Sequence, residues 1–212
     1  MLLRAAQTML SRSALKSVGK NLPHLVRSFG TEPQQVVLLG HPALRSMCTP
    51  CGDDALDDEK ASLVATLEDF RSKNGFGRGI AAPQIGVPRR FIAVNMGSGP
   101  RVLTDPKITW KSDETFTLFD DCMSLPWLLC KVRRHSSISV EFVNEDKEVE
   151  TWDECDTPLS ELLQHELDHL DGRLIVDIAE GGGLGIISRD AFERDPESFR
   201  ADVDYFIEPT IT

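Results

Sequence analysis

The stretch His165-Glu166-Leu167-Asp168-His169 constrains this chain more than any other feature. Residues four apart on a helix project from one face, so imidazoles at 165 and 169 can meet on a single cation. Glu166, about 100° further round, stays beside that cation without having to bind it. A carboxylate so placed can take a proton from an attacking water and hand it to a leaving group. Asp156-Thr157-Pro158 supplies a helix start, with Pro158 as a first helical residue, and Gly172 a stop. The pattern also arises by chance on exposed helices, so the third ligand decides its meaning.

A protease of the H-E-x-x-H-x-x-G-x-x-H type would place that ligand at position 175. Gly172 falls in step, but the residue at 175 is Ile175. A peptidase with a downstream glutamate ligand would have to use Glu180 or Glu193, and neither sits in a convincing helical motif. Upstream, Asp120-Asp121-Cys122-Met123-Ser124-Leu125-Pro126 follows a β-rich segment at 115–119 and offers a thiol. A thiolate suits a soft or borderline divalent ion, and Cys122, His165 and His169 would leave a fourth position open, as catalytic sites require.

With these segments the chain resembles the peptide deformylase family. Gly77-Arg78-Gly79-Ile80-Ala81-Ala82-Pro83-Gln84, Cys122-Met123-Ser124 and Gln164-His165-Glu166-Leu167-Asp168-His169 match in order and rough spacing, and Leu39-Gly40-His41-Pro42-Ala43-Leu44-Arg45 echoes a further signature. The resemblance covers about residues 36–178. It implies an α+β fold of mixed or antiparallel β-sheets around a central metal-binding helix. The implied reaction is hydrolysis of the N-formyl group of nascent peptides at Fe2+, or at Zn2+ or another divalent substitute. Residue by residue, Cys122, His165 and His169 would hold the metal and Glu166 would be the acid/base. The Gln84 side-chain amide and the Met123 backbone N–H would form the oxyanion hole, and Gly77, Arg78, Gly79, Glu161 and Leu162 would line the substrate pocket. Attack on a formamide builds negative charge on one oxygen, so a donor pair beside a Lewis acid is the chemistry expected.

The chain departs from the family at three places. Asp120-Asp121 stands where Glu-Gly usually precedes the ligand cysteine. Arg78 and Glu161 each replace an aliphatic residue of the pocket. Two isolated charges there would be costly, so they are expected to pair across the pocket wall, the alternative being that both reach solvent at its rim. An altered pocket leaves a second reading open: a deformylase-like protein that binds metal or formylated peptide with little turnover, or acts on another formyl or amide substrate.

Residues 1–30 carry Arg4, Arg12, Lys16, Lys20 and Arg27, four serines and no acid, the composition of an organellar transit peptide. Formyl-methionine starts translation in mitochondria and plastids, so a mitochondrial address, or a plastid one, fits the implied reaction, with a formylated nascent chain near the organellar ribosome as partner. Residues 31–212 then form one catalytic domain with a polar C-terminal tail. The whole chain has a formal net charge of -11, and the part after residue 30 is more acidic still, a poor match to nucleic-acid phosphates. No apolar run reaches the roughly 18 residues of a membrane span.

Five cysteines at 48, 51, 122, 130 and 155 are an odd count without paired spacing, which argues for a reducing compartment. Cys48-Thr49-Pro50-Cys51 lacks a second pair and is followed by acids, so it reads as an ordinary loop. Periodicity predicts a surface helix over 54–73 closed by Asn74-Gly75, strands at 91–95, 107–111, 115–119 and 137–143, and a strand at 174–178. The glycine-rich run at 180–188 lacks the context of a nucleotide loop and reads as a mobile loop.

Overall fold

The structure, a computed structural model, describes residues 30–207; the expected targeting segment lies outside them except for Gly30. Helix α1 (Asp57–Asn74) opens on Asp57, Asp58 and Glu59, acids placed at the positive end of its dipole. It stops where Gly75 takes a left-handed φ of 75°, the conformation the Asn-Gly pair announces. Leu63 and Leu67 of its inner face enter the core. Ser62 and Thr66 beside them hold the incoming chain, Ser62 Oγ exchanging hydrogen bonds with Gly30 and Thr66 Oγ1 accepting from Gln34 N at 2.8 Å.

Two sheets follow from the β-rich middle of the chain. The larger contains β1 (Gly79–Ala81), β2 (Phe91–Val94), β3 (Arg101–Lys111), β6 (Ile138–Val143) and β7 (Val149–Trp152), in the order β1-β2-β3-β6-β7. The smaller contains β4 (Thr115–Asp121), β5 (Leu128–His135) and β8 (Ile186–Ser188), in the order β4-β5-β8. Every pairing between these strands is antiparallel. The long β3 begins at Arg101, upstream of the expected 107–111, and absorbs two register shifts against β6.

Helix α2 (Thr157–Leu170) lies between the sheets, which is the α+β arrangement expected. It starts one residue before Pro158, capped by the Asp156 carboxylate accepting from Leu159 N at 3.1 Å. Leu162, Leu163, Leu167 and Leu170 pack with Ile92, Leu103, Val140 and Phe142 of the larger sheet. The opposite side is fastened to β5: Gln164 donates to His135 O and accepts from His135 N, both at 2.9 Å. Ten of its 14 residues are buried, so the polar ones among them are held by chemistry rather than by water.

The strand expected at 174–178 is a 3-10 turn, Ile175–Asp177. Leu174 and Ile175 are buried, but Asp177 Oδ2 accepts from Leu174 N at 2.8 Å and closes the backbone locally instead of offering it to a sheet. Residues 180–188 are likewise ordered into a short 3-10 turn, Gly182–Gly185, and β8, which pairs with β5. The region read as a polar tail forms α3 (Arg189–Arg194) and α4 (Pro196–Arg200). Its aromatic residues pack back on the smaller sheet: Phe192 and Phe199 on Phe119, and Tyr205 on Phe116. No helix among the described residues is long and apolar enough to cross a membrane.

Candidate metal centre and adjoining cavity

The end of β4 and the middle of α2 bring three soft or borderline donors together. The ligand atoms of Cys122, His165 and His169 all lie within 4.8 Å of one another and all three residues are buried. Cys122 Sγ is 3.3 Å from His169 Nε2. Two ligands of one tetrahedral zinc-like ion would sit about 3.6 Å apart, so the donors stand close to bonding separation.

Residue Asp120 holds His165 from behind. Both carboxylate oxygens accept from His165 Nδ1, at 2.9 and 3.0 Å, which leaves Nε2 as the lone-pair nitrogen facing the cluster. Arg134 from β5 donates to the same carboxylate at 3.0 Å and to Asp168 at 2.5 Å. Burial alone would raise the Asp120 carboxyl, but His165 and Arg134 together hold it well below the usual range. The same contact raises His165 against its burial, whereas burial and the neighbouring His165 push His169 down. A neutral His169 is a ready metal ligand. The sequence marks Asp120 only as a departure from the family, without this role, and gives no sign of Arg134.

Buried Glu166 has one carboxylate oxygen, Oε2, that meets no hydrogen-bond partner among the described residues. Burial pushes its carboxyl up to about 7, which poises it between acid and base near neutral pH. Gly79 approaches so closely that a Cβ there would stand 2.7 Å from Glu166 Oε1, which explains glycine at that position. Gly77 is required twice over, by a φ of 117° and by the Phe70 ring 2.8 Å from where its Cβ would be.

Gln84 is oriented without ambiguity. Ala81 N–H donates to Oε1 at 2.8 Å, so the amide NH2 must point the other way, toward Ser124 Oγ at 3.2 Å and Cys122 Sγ at 3.6 Å. The Met123 N–H has no acceptor among the described residues.

One cavity of about 380 Å³ joins these groups. Gln84, Cys122, Met123, His165 and Glu166 line it, as do all five residues expected in the pocket, Gly77, Arg78, Gly79, Glu161 and Leu162. His169 sits behind the others. Sequence reasoning missed Arg189 of α3 in the cavity lining, which ion-pairs with Asp121 at 2.6 Å, donates to Pro126 O at 2.7 Å and lies over the Phe76 ring. A lone arginine in an acidic tail carries no signal of such a contact.

A family model described as polypeptide deformylase matches residues 33–182, more than half of the chain. The chain belongs to the peptide deformylase family. A peptide deformylase of Desulfitobacterium hafniense is 36% identical over 148 residues, covering 69% of this chain and 94% of that relative. One from Bartonella tribocorum is 34% identical over 154 residues, covering 68% and 83% respectively. Among solved structures, the Thermotoga maritima peptide deformylase superposes with a TM-score of 0.64 at 29% identity, covering 70% of this chain and 98% of that one. The Legionella pneumophila peptide deformylase gives a TM-score of 0.65 at 25% identity, covering 80% and 96%. This deformylase is thus a hydrolase of N-terminal formyl groups, in a family of metalloenzymes, with a Cys-His-His cluster that could hold the ion.

The remaining cysteines stay out of this chemistry. Burial pushes the thiols of Cys48 and Cys51 up to about 11 and that of Cys130 to about 12, so they stand as protonated core residues, and Cys48-Thr49-Pro50-Cys51 is the ordinary loop expected.

Proposed function

We propose that this chain removes the formyl group from the N-terminal methionine of nascent proteins inside an organelle, the mitochondrion, with Fe2+ held by Cys122, His165 and His169 and Zn2+ as a substitute. The observation that carries the reading is the buried Glu166 oxygen without a partner among the described residues, on the cavity that Cys122 and His165 also line, beside three converging ligands. An ion there would supply Lewis acidity to the formyl carbonyl and to the attacking water. Glu166 takes the proton from that water and returns it to the leaving nitrogen, a transfer suited to a carboxyl poised at about 7. Gln84 Nε2 and the Met123 N–H donate to the oxygen on which charge develops, Gln84 turning to it the N–H that otherwise makes the long contact with Cys122 Sγ. The product is a free amino terminus and formate.

The test is formate release from a formyl-Met peptide by the anaerobically purified, Fe2+-loaded protein, which is expected to turn over. Metal content of one ion per chain with no formate would support the binding protein of little turnover instead. For the address, residues 1–30 fused ahead of a fluorescent reporter should carry it to the mitochondrion, because five basic residues and no acid fall in that span. A diffuse cytosolic signal would refute the address and leave the chemistry standing. A segment near the organellar ribosome is where a formylated nascent chain is met, and the acidic domain has no evident nucleic-acid surface of its own.

A further inference from the structure

Behind the candidate metal centre, the cavity wall is an ion pair. Arg78 Nη2 lies 2.5 Å from Glu161 Oε1, the Glu161 side chain is 2% exposed and that of Arg78 11%, and Arg78 Nη1 donates to Pro158 O at 3.1 Å. Both residues border the cavity, Glu161 one helical turn from His165 and Arg78 between the glycines that crowd Phe70 and Glu166. The pair is internal, as expected, and not at a solvent rim.

Chain geometry decides what meets this wall. The formyl carbon, its nitrogen and the first Cα of a peptide are consecutive atoms. Gln84, Cys122 and Glu166 line the same cavity as Arg78, Glu161 and Leu162, so a formyl group held by the first three brings the first side chain within reach of the second three. A guanidinium has five N–H donors; Arg78 donates one to Pro158 O and ion-pairs with Glu161 through Nη2, which leaves donors for a ligand. A thioether is a weak acceptor, whereas a side-chain amide or hydroxyl can take such a donor. A desolvated polar wall left facing an apolar side chain loses its water without compensation.

We infer that Arg78 and Glu161 are specificity-determining residues that tune this pocket to a hydrogen-bonding first side chain, so that formyl peptides beginning with glutamine or a similar polar residue are used at least as well as those beginning with methionine. The inference rests on the reading of the chain as an active deformylase. Glutamine and methionine are close in length, so the comparison isolates polarity from size.

The experiment measures kcat/KM for matched formyl-Met and formyl-Gln peptides on the Fe2+-loaded protein, on Arg78→Ile, on Glu161→Ile and on the double variant. The wild-type Met:Gln ratio should be near or below one, and the double variant should raise it by about tenfold or more, the range an apolar pocket commands. Arg78→Ile alone should be less stable than the double variant, since it strands the Glu161 carboxylate. A second readout needs no turnover: calorimetric affinity for two peptide hydroxamates whose first side chains are methylthioethyl and carbamoylethyl. Strong formyl-Met preference in wild type, unchanged in the double variant, overturns the inference and leaves deformylation intact. If no peptide releases formate yet the carbamoylethyl hydroxamate binds at least as tightly, the wall is confirmed and the activity is refuted. Failure to bind either hydroxamate overturns both. Should the double variant not fold, the wild-type ratios decide alone.

Discussion

Replacing Glu166 by Gln should leave the metal in place and reduce turnover by roughly 10²- to 10⁴-fold, the span general acid–base catalysis usually commands. The side chain keeps its volume against Gly79, where there is no room for a Cβ beside it, so the cavity need not collapse. What disappears is the titration: an amide cannot accept the water's proton, and the oxygen that now has no partner among the described residues cannot serve as base. Cys122→Ala and His165→Ala are the contrasting variants, because each removes a donor from the cluster and should release the ion and the activity together. Metal content by elemental analysis and formate release, measured on all three, separate the roles. A Glu166→Gln protein that turns over at the wild-type rate would remove Glu166 from the mechanism, and a Cys122→Ala protein that retains a full equivalent of ion would remove Cys122 from the ligand set.

These two classes of residue were legible in the sequence for different physical reasons. His165 and His169 follow from helical periodicity, which fixes relative direction over one turn without knowledge of the fold. Cys122 needed only chemistry, as the thiol at the end of a segment with strand character, set against the absence of a histidine at 175. Arg134 was not legible. It lies on β5, whose run Leu-Leu-Cys-Lys-Val-Arg-Arg-His mixes buried and charged residues too closely to announce a strand, and it meets Asp120 only because β4 and β5 pair antiparallel across a short turn. The tail misled for the converse reason: its Asp, Glu and Arg residues dominate the composition, while Phe192, Phe199, Tyr205 and Phe206, spread among them, do the packing. The turn at 175–177 shows the same limit, since a short apolar run reports burial and the backbone geometry there is set by Asp177.

The residue that joins the metal site to the fold's stability is Asp120, and Asp120→Asn should damage both. A carboxylate one methylene shorter than the family's usual glutamate still reaches two donors here, accepting from His165 Nδ1 with both oxygens and from Arg134 Nη2. An amide of the same shape has one acceptor oxygen and one donor NH2, so it can serve His165 or Arg134 but presents a donor to the other. Facing His165 correctly, it leaves the buried Arg134 with Asp168 as its remaining anion; facing Arg134 correctly, it turns an N–H toward Nδ1 and favours the wrong tautomer for a ligand. Metal affinity should therefore fall by about 10- to 100-fold, as for other partners that orient a ligating imidazole. The metal-free protein should lose roughly 3 kcal/mol, the lower end for breaking a buried pair, because Arg134 keeps its bond to Asp168. Chelator competition reads the first effect and urea unfolding of the metal-free forms the second. Loss of stability with unchanged affinity would confine Asp120 to a structural role. Superimposable curves in both assays would mean that neither His165 nor Arg134 depends on its charge.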